Sequence, residues 1–162
     1  MATVTNDTHE FFLRECIKLA MEKMNQGHGG PFGALVVKDG KIVGRGWNSV
    51  TSTNDPTAHA EVNAIRDACR NLKSFQIEDC ILYTSCEPCP MCLGAIYWAR
   101  PGAIYFASSR EDAAAAGFDD DFIYQELSKS LVQRSLPINQ LIPEEGAKAF
   151  DSWIQKSDRV RY

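Results

Sequence analysis

Apolar positions at Phe12, Cys16, Leu19 and Ala20 recur at helical spacing and predict an amphipathic helix over residues 9–25. Gly27, Gly29 and Gly30 end it, ahead of Pro31. Two short runs of β-favouring residues follow, at 34–38 and 41–47, and Asp39-Gly40 between them is a hairpin turn signal. Residues 51–55 are polar and read as loop. Pro56 suits a first helical turn with Asp55 as N-cap, and HAEVNAIRDACRNL carries that helix to about Leu72. Residues 79–84 read as a buried strand, 90–99 as a helix and 103–107 as another strand. Beyond Gly117 the pattern is less regular: FDDDFIYQEL predicts a short helix, LPINQLI an extended segment, and EEGAKAFDSWIQKS a final amphipathic helix before a tail at 158–162.

The order helix, hairpin, helix, strand, helix, strand argues for a sheet held between helix layers, an α/β fold. No repeat, low-complexity stretch or linker interrupts the 162 residues, so the reading is a single domain with enough chain for a real core. No apolar run approaches the roughly 20 residues that cross a membrane. The first residues lack the basic and apolar regions of a signal peptide, so the expectation is a cytoplasmic protein without a membrane partner. A formal net charge of -4, with only short basic clusters such as Arg159 and Arg161, favours a small polar or uncharged substrate over nucleic acid.

Six cysteines stand at 16, 69, 80, 86, 89 and 92, and three of them crowd into SCEPCPMC. Cys16, Cys69 and Cys80 sit in apolar, periodic surroundings and read as buried small hydrophobes. The crowded three point to metal chemistry when joined with His59-Ala60-Glu61, because both motifs open a predicted helix. One His and two Cys on Zn²⁺ leave a fourth tetrahedral position for water, the arrangement of a catalytic site. Thiols in the first turn of a helix also gain from its positive end. The water then ionises near neutral pH and becomes a nucleophile.

Glu61, two positions beyond His59, does not share a helix face with it, so it flanks the metal and is placed to move protons. Cys86 and Cys89 form a second C-x-x-C pair, and spacing alone permits either choice. H-x-E with P-C-x-x-C resembles the signature of zinc-dependent nucleobase deaminases, and that resemblance implies Cys89 and Cys92, the pair preceded by proline.

At these residues the sequence resembles the cytidine deaminase superfamily and, within it, the small bacterial guanine deaminases. The likeness runs over nearly the whole chain from about His9, through GGPFGALVVKDG, NDPTAHAEVNAIR, LYTSCEPCPMCLGAIYWARP and AAGFDDDFIY. The first three segments establish the superfamily and lean toward purines. IYWARP and GFDDDFIY, with an aromatic C-terminus, favour guanine.

The resemblance implies a three-layer α/β/α sandwich around a mixed sheet of about five strands. It implies zinc-dependent hydrolysis of guanine to xanthine and ammonia, by attack at the amine-bearing carbon. It also implies that Asn48 contacts the purine, Phe32 stacks on it, Trp98 is a second pocket aromatic and Asp120 engages the substrate amine. Relatives of this kind form homodimers that exchange a C-terminal segment, here about 118–162, so Tyr162 is expected to close the partner's site.

Each role has a competitor. Asn48 also suits a loop pin, Phe32 and Trp98 suit core aromatics, and Asp119, Asp120 and Asp121 suit a solvated helix start. Tyr162 is a terminal residue, and such residues are usually poorly ordered. His28 reads as an exposed loop residue, and the stretch before His9 has no role. Competing functions are deamination of guanosine, cytosine or an aminotriazine, adenosine deamination in tRNA, and a silent zinc-binding module. The presence of Glu61 counts against the last.

Overall fold

The computed structural model of the chain describes residues 6–118 and 120–162; residues 1–5 and Asp119 lie outside it. The elements are α1 (Asn6–Asn25), β1 (Gly33–Lys38), β2 (Lys41–Trp47), α2 (Val50–Thr53), α3 (Ala60–Leu72), β3 (Ile81–Cys86), α4 (Pro90–Ala99), β4 (Ala103–Ser108), α5 (Arg110–Ala115), α6 (Asp120–Ser128), a 3-10 turn at Leu131–Gln133, and α7 (Pro143–Gln155). They fall into two compact units, Met1–Asp121 and Phe122–Tyr162. Among the described residues no helix is long and apolar enough to cross a membrane.

In the first unit the strands form one mixed sheet in the order β2-β1-β3-β4. β1 runs antiparallel to both β2 and β3, whereas β3 and β4 are parallel. Alternation along β1 builds the layers, because successive side chains point to opposite faces. Leu35 and Val37 join Phe12, Cys16 and Tyr83 under α1. Ala34 and Val36 join Ala60, Ala64, Ala68, Leu82 and Ile96 under α3 and α4. The result is a helix–sheet–helix sandwich.

The sheet has four strands among the described residues where the resemblance implied about five. LPINQLI pairs with no strand: Pro137 removes a ladder donor, and Leu136, Ile138 and Leu141 remain exposed. The second unit, taken by itself, is helical, and none of its described side chains is buried.

Three local predictions need correction. α3 starts at Ala60 and not at Pro56, because Asp55 caps a tight turn instead: its Oδ1 accepts the Thr57 amide at 2.8 Å and the Thr57 hydroxyl at 2.7 Å. Residues 51–53 of the expected loop join Val50 in the short helix α2, stopped by Asn54 in the left-handed conformation. α5, absent from the sequence reading, is nucleated by a capping box in which Ser109 and Asp112 satisfy each other's backbone amides.

The packing of α3 on β2 sets the position of the site. An added Cβ at Gly44 would lie 2.5 Å from the Ala64 carbonyl oxygen, and one at Gly46 would lie 2.1 Å from that of Ala60. Only glycine permits this approach, and it lets the alanine face of α3 rest on the strand backbone. β2 is also an edge strand. Its outer groups are taken up by α3, through Arg45 N to Asp67 Oδ2 at 3.0 Å and Asn71 Nδ2 to the Val43 carbonyl at 2.9 Å. The unpaired edge is thereby covered.

Candidate active site and metal centre

α3 and α4 both begin at the same end of the sheet, where β2 and β3 finish and β1 starts. Their N-cap residues are His59 and Cys89, each in extended conformation and neither using its side chain to cap its helix. A forgone side-chain cap costs about 1 kcal/mol; here it leaves both side chains free to converge. His59 Nδ1 lies 3.5 Å from Cys89 Sγ and 3.5 Å from Cys92 Sγ. The ligand atoms of His59, Cys89 and Cys92 all fall within 4.8 Å of one another, a grouping that could hold a metal ion. Tetrahedral Zn²⁺ with ordinary bond lengths sets the N···S separation at about 3.5 Å. The donors therefore fit zinc in both kind and spacing.

The acid–base properties of the thiols agree. Hydrogen bonding from Cys92 and then from His59 pulls Cys89 down to about 4. Cys92 is pushed up by its hydrogen bond to Cys89 and by burial. The two thiols are linked by a hydrogen bond, and a cation between them would favour the thiolate on both. His59 is raised, first by its hydrogen bond to Cys89.

Glu61 is in the first turn of α3 and buried. Its side chain reaches the same centre as that of His59 because His59 is not helical. Thr84 Oγ1 donates to Glu61 Oε1 at 3.2 Å, and Cys92 Sγ donates to Oε2 at 3.4 Å. Burial raises its carboxyl above the usual range. A proton is therefore retained at this position more readily than on a solvated carboxylate.

The adjoining cavity, about 50 Å³, is lined by Phe32, Asn48, His59, Glu61, Glu87, Cys89, Phe118 and Asp120. Asn48 lines this cavity and also acts as the loop pin. Its Oδ1 accepts the amides of Gly30 and Val50, each at 3.2 Å, which pins the loop before β1 to the loop after β2. Its side-chain NH₂ is then the group left to donate. Phe32 and Phe118 meet edge to face, centroids 4.8 Å apart.

The structure brings together Phe32, Asn48, His59, Glu61, Cys89, Cys92 and Asp120. Trp98 lies elsewhere, on the outer face of α4, 64% exposed and outside the cavity lining. Tyr162 belongs to the second unit. Cys86 is outside the metal group; its thiol donates to the Ser109 carbonyl at 3.5 Å and burial pushes it up to about 11. Cys16, Cys69 and Cys80 are free thiols, buried or half-buried, as their apolar settings predicted.

Three residues of the site were missed by sequence reading. Thr84 anchors Glu61, Phe118 forms a wall, and Glu87 accepts the Arg110 amide at 3.1 Å, tying the metal loop to the start of α5. Phe118 was within a quoted segment, and Glu87 stands between two cysteines. Thr84, one of many strand threonines, carried no signal.

Comparison with known proteins agrees with this geometry. Residues 6–108 match the cytidine and deoxycytidylate deaminase zinc-binding region. Guanine deaminase of Bacillus subtilis is 55% identical over 154 residues, spanning 95% of this chain and 99% of that protein. The X-ray structure of guanine deaminase from Bacillus subtilis superposes with a TM-score of 0.93, over 95% of this chain and 98% of that one. A tRNA-specific adenosine deaminase of Buchnera aphidicola is 40% identical over 111 residues, 68% of this chain and 74% of its own.

Proposed function

Because the chain belongs to the cytidine and deoxycytidylate deaminase zinc-binding family, we propose that it converts guanine and water into xanthine and ammonia. The observation that carries the choice of guanine is the length of the match to guanine deaminase. A match of 154 residues at 55% identity includes most of the second unit, whereas the tRNA-specific adenosine deaminases match over 61–80% of the chain at 36–40% identity. Zinc held by His59, Cys89 and Cys92 supplies, when bound, the Lewis acidity that makes water nucleophilic near neutral pH.

Glu61 takes the proton of the attacking water and delivers protons to the ring nitrogen and the departing amine. Thr84 fixes one of its oxygens so that the other faces the chemistry. The Asn48 NH₂ donates to a purine acceptor, and the Asp120 carboxylate accepts from the exocyclic amine. Phe32 and Phe118 stack on the base. A cavity of about 50 Å³ is smaller than a purine, so these two rings part when the base is admitted. Trp98, exposed on one chain, contributes from the face of α4, and the chain works in the reducing cytoplasm, which keeps the ligand thiols available.

The same reading makes the protein a homodimer that exchanges its C-terminal unit, with Tyr162 closing the partner's site. Exposed apolar side chains support it: Tyr97 and Trp98 on α4, and Leu136, Leu141, Phe150 and Ile154 in the second unit. Light scattering is expected to give twice the chain mass, and deletion of Tyr162 to raise KM. A monomeric mass with full activity would discard the exchange.

The test of function is a rate comparison. Zinc-loaded protein is mixed with guanine, guanosine, cytosine and an adenosine-bearing tRNA stem-loop. Fast release of ammonia and xanthine from guanine alone is expected. Turnover of another substrate instead would keep the zinc chemistry and discard guanine.

Two further results are expected. Chelator dialysis removes both zinc and activity, and added Zn²⁺ restores both; activity surviving in metal-free protein would refute the metal requirement. Asn48→Asp, which keeps the loop-pinning oxygen and loses the NH₂ donors, lowers kcat/KM by roughly 10- to 100-fold, the range for losing a buried hydrogen-bond partner. A wild-type value would reduce Asn48 to a loop pin.

A further inference from the structure

A second cavity, about 760 Å³, opens between β2 and α3 and shares no lining residue with the metal cavity. Three arginines line it: Arg45 from the edge strand, and Arg66 and Arg70 one helical turn apart on α3. The one carboxylate on its wall is Asp67, which is already engaged. Its Oδ2 accepts the Arg45 backbone amide at 3.0 Å, and its Oδ1 lies 3.4 Å from Arg70. Among the described residues Arg66 pairs only with Asp55, outside the lining, at 3.9 Å. The guanidinium of Arg45 makes no hydrogen bond or ion pair among the described residues.

Three arginines less one aspartate leave the wall at +2, on a chain whose net charge is -4. Like charges one turn apart on a helix disfavour it by a few tenths of a kcal/mol, which offsets what the exposed Arg70–Asp67 pair contributes. Guanidinium groups gathered on one face suit phosphate oxygens, which they bind in bidentate fashion. The same cavity carries two aromatic rings, tilted 58° to each other. Trp47 and His28 both line it, with ring centroids 5.8 Å apart, and Lys23 Nζ lies 4.7 Å from the Trp47 ring. The volume is in the range of small-molecule sites.

We propose that this cavity binds a nucleoside phosphate, the phosphates on Arg45, Arg66 and Arg70 and the base against Trp47 and His28. The site is separate from deamination, because guanine carries no phosphate and the catalytic cavity has no arginine in its lining.

Calorimetric titration of the zinc-loaded full chain with guanosine monophosphate tests it, with guanosine, inorganic phosphate and a short oligoribonucleotide alongside. Expected are binding of the monophosphate, at least tenfold weaker binding in Arg45→Ala/Arg70→Ala, and weaker binding in Trp47→Phe. Guanine turnover by the double variant is expected to be unchanged, which also shows that it folds; should it fail to fold, Arg70→Gln alone serves, with the same loss of affinity expected in smaller measure. Four results would overturn the proposal: no binding; displacement by xanthine with affinity intact in the arginine variant; phosphate binding as tightly as the nucleotide; or the oligoribonucleotide binding more tightly than the monophosphate.

Discussion

Glu61→Gln is expected to lose at least about a thousandfold in turnover while the protein keeps its zinc, within the range by which a positioned acid–base group accelerates a reaction. The substitution is nearly isosteric, and its carbonyl oxygen still accepts the Thr84 hydroxyl that now holds Oε1. What it loses is a basic oxygen that takes a proton and gives it back. Because His59, Cys89 and Cys92 make up the metal group, zinc content measured by mass spectrometry should be unchanged. Stability should not fall either. Burial raises the Glu61 carboxyl, so in the folded protein without metal the ionised form is the disfavoured one, and a neutral amide carries no such penalty. Lost activity with retained zinc and an unchanged or higher melting temperature would assign the proton transfer to Glu61. Wild-type turnover would remove it from the mechanism.

The site was legible where its chemistry depends on rare residue types at fixed spacing. His59, Glu61, Cys89 and Cys92 stood out because both motifs open helices, and two helix N-termini starting at one sheet end must bring their first residues together. The two β runs and the Asp39-Gly40 turn between them were equally readable, since each is a local pattern. What stayed hidden depends on distance across the fold. Thr84 reaches Glu61 only because β3 passes beneath α3. The α5 capping box joins common residues, and Asp55 was placed one turn too early because an Asx turn and a helix N-cap use the same side chain in the same way. The arginine cavity is non-local too: Arg45 and Arg66 are far apart in sequence and meet only when α3 covers the edge strand.

That covering leads to the largest stability effect expected of a single methyl group, at Gly46. In Gly46→Ala the new Cβ would lie 2.1 Å from the Ala60 carbonyl oxygen and 2.3 Å from the Ala64 amide nitrogen. Both neighbours are backbone of the same helix, so no side chain can swing aside and α3 itself must move. Forced overpacking of this kind costs about 1–3 kcal/mol and sometimes more. For a chain of this size about 3 kcal/mol corresponds to a fall in melting temperature of roughly 6–12 °C. The displaced element is the one that begins with His59 and Glu61, while Cys89 and Cys92 ride on α4 and are not pushed with it. The methyl group should therefore weaken zinc affinity and turnover along with stability, although it touches neither the metal ligands nor the lining of the metal cavity. Thermal unfolding, zinc retention under a competing chelator and guanine turnover measured on one preparation check this. A melting temperature within about a degree of wild type would mean that the close approach of α3 to β2 is looser than 2.1 Å implies, and that the glycine is not what seats the catalytic helix.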